Sequence, residues 1–379
     1  MKNKAGATPL NRLESARVSL FMGGILYYTF IISTVDIFVP YHIVRQAGRD
    51  GWISVLITMA EMLPGAAVAI ALTLRFPRQT IIEYLQLILG LWPGRLLGLA
   101  YIFFLLVLGS TTLREFEEIM TIAFLQLTPK IVFGAVALVL SSYVVFSGIE
   151  AIYRVNGAVI PIGVLFLFFV GLSTLPRADF TNYLPVLEQG IGPPIHGSFL
   201  LFANLMEGFI ILSLLPFVNN PRGVVKAALI SIPALGISLL LGTIAIAVFG
   251  AELSKKILMP ALEMSRLIEI PGIPRLDMLI MLGWFAGIFI KISVIHYLLV
   301  LLSAQLAGLG TYKPLIIPFG ILLISLSIYM FPNVIELVDF IGSSYTYFLV
   351  AFEFAIPLIL LFIAWSRRLK AGDQTNPGT

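Results

Sequence analysis

Ten stretches of about 20 predominantly apolar residues follow one another along this chain, at roughly 16–40, 51–74, 96–113, 130–148, 152–175, 198–218, 227–250, 276–307, 314–331 and 343–366. Each is long enough to cross the hydrocarbon core of a bilayer as a helix. Lipid leaves backbone N–H and C=O groups no solvent partner, so only helices or closed barrels can span it. Barrel strands would be shorter and would alternate in polarity. Helices are therefore expected throughout. The composition agrees, with 59% hydrophobic and 12% charged residues against about a quarter charged in soluble domains. The breaks carry turn chemistry: Pro77, Pro93-Gly94, Pro129, Pro221 and Pro314.

Orientation is read from Lys and Arg. With the N-terminus in the cytoplasm, fourteen basic residues fall on the cytoplasmic side and nine on the other, while acidic residues gather outside. The positive-inside rule then places both termini, and the tail at 367–379, in the cytoplasm. The first apolar run is too long for a cleavable signal and lacks a small-residue cleavage pattern. There is no cysteine, and His42, His196 and His296 show no ligand spacing. Phosphate-loop, dinucleotide and HExxH patterns are absent from the sequence. No catalytic residue, metal, cofactor or nucleic-acid partner is expected.

A single membrane domain, 1–379, divides into two five-helix blocks, 1–176 and 195–379, joined by the polar stretch 177–194. Each block opens with a helix that has an awkward spot near mid-membrane. In span 1 it is Gly23-Gly24, followed by Tyr27 and Tyr28; in span 6 it runs from Asn204 to Gly208. Inverted-repeat transporters break helices at corresponding positions of their halves and bind substrate where the breaks meet. Glycine pairs also serve simply for close packing. The outer segments 252–270 and 333–344 have the pattern of interfacial helices.

Four ionisable groups lie deep in apolar runs: Glu61, Glu207, Lys291 and Glu353. Each costs ~2.5–3.5 kcal/mol at a helix centre, so each should face the bundle interior or water. Glu353 lies in the half of span 10 that approaches the outer interface. Glu207 interrupts LFANLMEGFIILSLLPF at 201–217. In span 8, Trp284, Ile288, Lys291 and Ile295 share a helical face. Two readings of Glu207 and Lys291 stand open, a charged wall of a solvated pocket and a structural ion pair that pins two helices. Tyr27, Tyr101 and Asn204 offer polar atoms at comparable depth. The run Arg114-Glu115-Phe116-Glu117-Glu118 reads as a solvated helix end at the outer surface.

Several stretches resemble the multi-span B subunit of bacterial spore germinant receptors, a branch of the amino acid–polyamine–organocation transporter superfamily. They are Asp50-Gly51-Trp52-Ile53-Ser54, FPRQTIIEY at 76–84, LREFEEIM at 113–120 with LTP at 127–129, GIEAIYR at 148–154 and RLDMLIMLGWFAGIFIK at 275–291. Their order and spacing carry the likeness from 50 to 300. Members often open span 1 with an Ile-Ser-x-x-Gln stretch, where this chain has Leu13-Glu14-Ser15-Ala16-Arg17-Val18. The resemblance implies a ten-helix, LeuT-like 5+5 inverted repeat with broken helices 1 and 6. It implies residence in the spore inner membrane beside a larger A subunit and a lipoprotein C subunit. It also implies a small nutrient, such as an amino acid or sugar, held among spans 1, 3, 6 and 8. Mapped here, that pocket comprises Gly24, Tyr27, Tyr101, Asn204, Glu207, Gly208 and Lys291. A nutrient sensor that triggers germination, with ion release as one route, and a secondary amino-acid permease both fit such a pocket. An intramembrane hydrolase would need a nucleophile beside His296, and none is evident.

Overall fold

The computed structural model describes residues 18–220, 223–269 and 276–370. The Leu13–Arg17 stretch, Arg222, Arg275 and the tail from 371 lie outside the described residues. Fifteen α-helices make up the described chain: α1 (Leu20–Ala47), α2 (Gly51–Arg75), α3 (Ile81–Leu89), α4 (Leu91–Ala123), α5 (Lys130–Phe146), α6 (Ile149–Thr174), α7 (Gly192–Met206), α8 (Val224–Phe249), α9 (Ala251–Ser254), α10 (Pro260–Arg266), α11 (Leu276–Leu306), α12 (Ile316–Met330), α13 (Val334–Ile341), α14 (Ser344–Val350) and α15 (Ile356–Ser366). Among the described residues eight segments are long and apolar enough to cross a membrane, and Leu20–Val35 and Lys130–Phe146 are shorter apolar helices. These segments fall on the apolar stretches of the sequence. The chain is a multi-pass, all-helical membrane protein. At 1.5 Å per residue, the 17 residues of α5 reach about 25 Å, short of a full hydrocarbon core.

The bundle is assembled around α11. From Lys291 to Leu302 every side chain of that helix is buried, and α1, α4, α5 and α6 pack around it. A helix apolar on all faces belongs in the middle of a membrane bundle, and its polar insertions must then meet partners inside the protein. The ends of the elements follow local chemistry. Ser19 caps α1 through Met22 N–H, and Thr80 with Glu83 forms a reciprocal capping box on α3. One face of the bundle is tied by arginines: Arg75 donates to the carbonyls of Ala364 and Leu369, and Arg367 donates to that of Ile88. The linker at 177–194 contains a short 3-10 turn, Phe180–Tyr183, and docks on the α1–α2 corner, where Asp50 accepts the Leu187 N–H at 3.0 Å.

Two expectations are corrected. Helix 1 is not broken at Gly23-Gly24: α1 runs unbroken past the pair, because extended backbone ends at Ser19, before it. A glycine costs a helix only about 1 kcal/mol, too little to force a break. The 114–118 run is no solvated end either. Helix α4 continues to Ala123 and buries it, with Arg114 bonded to Glu118 at 2.9 Å and 3.7 Å from Glu117. Lys130 joins Glu118 at 2.6 Å and Ser327 donates to Glu117. Two cations against two of the acids make that run tolerable inside. Glu353 is fully buried.

Helix 6 does break. Its α-helix ends at Met206 and an eleven-residue 3-10 run, Glu207–Phe217, takes over. Runs of that kind rarely exceed 3–4 residues, because their hydrogen bonds are poorer. A short bridge anchors the far end: Val18 N–H meets Phe217 O and Asn219 N–H meets Val18 O, both at 2.9 Å. The start of helix 1 is thereby fastened to the end of the irregular stretch.

The α3–α4 corner depends on a missing side chain. A Cβ on Gly94 would sit 2.6 Å from the Gln86 Cα, which is backbone and cannot move aside. Gly94→Ala is expected to destabilise the protein by at least about 1–3 kcal/mol. Gly24→Ala, with its nearest neighbour at 3.5 Å, should leave the melting temperature in detergent unchanged or raised. A melting series of the two variants checks both the corner and the continuity of α1.

A buried ion pair at the broken helix as candidate ligand site

The first residue of the 3-10 run is Glu207, and it points inward. Glu207 and Lys291 are 2% and 1% exposed and form a direct ion pair through Glu207 Oε2. The second oxygen, Oε1, accepts the Tyr345 hydroxyl at 3.1 Å. Lys291 donates also to Thr34 Oγ1 at 2.5 Å and lies 5.1 Å from the centre of the Phe30 ring. Helix 1, the broken helix 6, the central α11 and α14 therefore meet on one pair of charges. Both carboxylate oxygens and two of the ammonium donors are satisfied, and the ring face takes up remaining positive charge.

Position 208 must be glycine here. A Cβ on Gly208 would overlap the Tyr27 ring and come within 3.0 Å of Ile31 Cδ1. The glycine lets helix 1 close on the break, and Tyr27 also lines a small cavity. That cavity, of about 70 Å³, is lined by Gly24, Tyr27, Tyr153, Met206, Gly208 and Ser231 among others. Its walls are almost entirely apolar side chains.

The expected residues thus separate into three groups. Gly24, Tyr27 and Gly208 line the cavity. Glu207 and Lys291 form the buried ion pair and do not line the cavity. Tyr101 and Asn204 are engaged elsewhere: the Tyr101 hydroxyl donates to the Phe352 carbonyl at 2.7 Å, and Asn204 Nδ2 turns back to Leu200 O at 2.9 Å. Glu61 accepts from Ser198 at 3.2 Å, outside this group.

Sequence reasoning missed Thr34, Tyr345, Phe30 and Glu115. Thr34 replaces Gly23-Gly24 as the contribution of helix 1 to the meeting point. Its signal was the Ser33-Thr34 pair inside an otherwise apolar run, about three turns beyond the glycines. Glu115 is buried on the face of α4 turned away from the Arg114 network, within electrostatic range of both Glu207 and Lys291. It was hidden in a charged run that looked solvated.

Removing one member of a buried pair strands the other and costs ~3–5 kcal/mol, whereas removing both together costs far less. Glu207→Ala and Lys291→Ala should each lower the melting temperature strongly, and the double variant should recover much of the loss. Additive losses in this cycle would contradict a closed pair.

With the geometry in hand, similarity to known proteins becomes informative. A family model described as "Spore germination protein" matches residues 17–335. Spore germination protein YndE of Bacillus subtilis (strain 168) is 24% identical over 95% of this chain and 99% of its own length. Spore germination protein KB of the same organism is 27% identical over 94% and 97%. Among solved structures, the transporter MhsT in complex with L-phenylalanine superposes with a TM-score of 0.64 at 13% identity, covering 93% of this chain and 99% of that one. A Na⁺-coupled sialic acid symporter gives 0.58 at 12%, over 93% and 82%. At such identities the last two speak for fold alone. The family model, the near full-length relatives and the inward-facing break in helix 6 lead to one conclusion: this chain belongs to the spore germination protein family and has the fold of the LeuT-type transporters.

Proposed function

We propose that the chain is the ligand-sensing membrane subunit of a spore germinant receptor, and that it receives an amino acid at the Glu207–Lys291 pair. The supporting observation is the pair itself, buried and seated where α-helix gives way to 3-10 helix. A zwitterion carries the same two charges as the pair. Its ammonium can replace Lys291 at Glu207 and its carboxylate can replace Glu207 at Lys291, so one buried pair becomes two without a net change of charge. N–H groups freed at the helix break offer the carboxylate further donors. Tyr345 and Thr34 hold the two protein charges in place during the exchange. A sugar has no charges to substitute and would have to break the pair against its full electrostatic cost.

Opening the pair loosens the contact of α1 and α11 with the broken helix, and that movement is the signal. The A and C subunits of such receptors are the partners that would read it. In this reading ten helices span the spore inner membrane and both termini face the cytoplasm. A second reading shares the same pocket, in which the chain moves its ligand across the bilayer.

Spores carrying Glu207→Gln or Lys291→Met, at normal protein levels, are expected to need roughly tenfold to a hundredfold more amino acid for the same germination rate. That range matches loss of one charged hydrogen bond at ~1.5–3 kcal/mol. Unchanged dose–response curves over an amino-acid panel would refute the site. Accumulation of labelled amino acid in liposomes holding only this chain would favour the transporting reading.

A further inference from the structure

Glu353 differs from the other buried acids of the bundle. It is fully buried, and neither of its carboxyl oxygens has a hydrogen-bond partner. Glu61 and Glu117 also leave one oxygen unbonded, but each bonds through the other. Glu353 lies on a π-helical turn, Ala351–Ala355, between α14 and α15. Such turns insert one residue into a helix, which rotates the following face by about 100°, and they recur at functional sites. The turn is held from outside: Phe352 gives its carbonyl to Tyr101 and stacks on Phe104 at 5.0 Å. The side chain is thus aimed inward by a supported irregularity rather than by slack in the helix.

The charged groups that act on Glu353 are Glu207, from the broken helix, and Lys291, from α11. The hydroxyls of Tyr27, Tyr101 and Tyr345 lie in its field from α1, α4 and α14. Helix α2 also packs here, but its Glu61 is engaged with Ser198. Around the single amine of Lys291 there are therefore three acids, Glu115, Glu207 and Glu353. Glu207 already neutralises the amine. An ionised Glu353 would be an uncompensated charge without a single hydrogen bond, which a protein interior does not tolerate. A metal ion is not the answer, because it demands several oxygen ligands. No cluster of acidic or histidine side chains suited to a metal occurs among the described residues. The cation that needs no coordination shell is the proton.

We propose that Glu353 is a proton-binding site, which holds its proton while the Glu207–Lys291 pair is closed and gives it to water when that pair opens. The carboxyl O–H bond breaks, its electron pair stays on the oxygen, and the proton leaves on a water molecule that enters with the opening; uptake is the reverse. This adds proton exchange to the protein and does not depend on which solute opens the pair.

Infrared pH titration of the purified full-length protein in lipid nanodiscs tests it without any ligand. The C=O stretch of a buried protonated carboxyl should be present at neutral pH, vanish in Glu353→Gln and remain in Glu115→Gln. Identical spectra for the wild type and Glu353→Gln, or loss of the band only in Glu115→Gln, would overturn the assignment. Glu353→Gln and Glu353→Met should also keep the wild-type melting temperature at neutral pH, since a neutral group is exchanged for a neutral one. Failure of either to fold, or a melting loss as large as that of Lys291→Met, would show an ionic role and equally overturn it.

Discussion

One ion pair organises this bundle. Lys291 sits on the most deeply buried helix, where an unpaired ammonium is untenable, and Glu207 is the partner that makes its position possible. Helices α1 and α14 reach the pair with one hydroxyl each, from Thr34 and Tyr345. Four segments far apart in sequence are thereby fixed to one point. In the proposed function, the same pair that holds them is the element a charged ligand takes apart.

The broken helix supplies the freedom to respond. A regular α-helix through 207–217 would have satisfied its backbone internally and stood rigid. The 3-10 run leaves that backbone less well bonded, and the Val18–Val218 bridge ties its end to the start of helix 1. Movement at Glu207 is therefore passed to both helices together. Gly208 permits the close approach of Tyr27. The π-helical turn under Glu353 is a second irregularity at similar depth, on a helix that also contributes Tyr345 to the pair. Elsewhere the bundle buries charge conservatively, as in the Arg114–Glu118–Lys130 network, where opposite charges cancel at short range.

Much of this was legible in the residues. The apolar runs announced a helical membrane protein, since lipid leaves the backbone no alternative. Glu207 and Lys291 stood out because a charge in such a run must face inward. The asymmetry appears at Gly23-Gly24 and at 114–118. Glycine marks a place where a helix can break, but neighbouring helices decide whether it does, and α1 runs through. A cluster of five mostly charged residues looks like a solvated end until Lys130 and Ser327, from other helices, are found beside it.

Sequence alone therefore determined the class of solvent, the helical architecture and the presence of a buried acid and a buried amine, because these depend on the free energy of each residue in lipid. Tertiary structure decided the rest: that the two charges pair, that Thr34 rather than the glycine pair completes the contact, that Tyr101 and Asn204 turn elsewhere, and that Glu353 is left without a partner. Those outcomes depend on distances of a few ångströms between helices hundreds of residues apart in some cases, and hydropathy along a single chain contains no information about such distances.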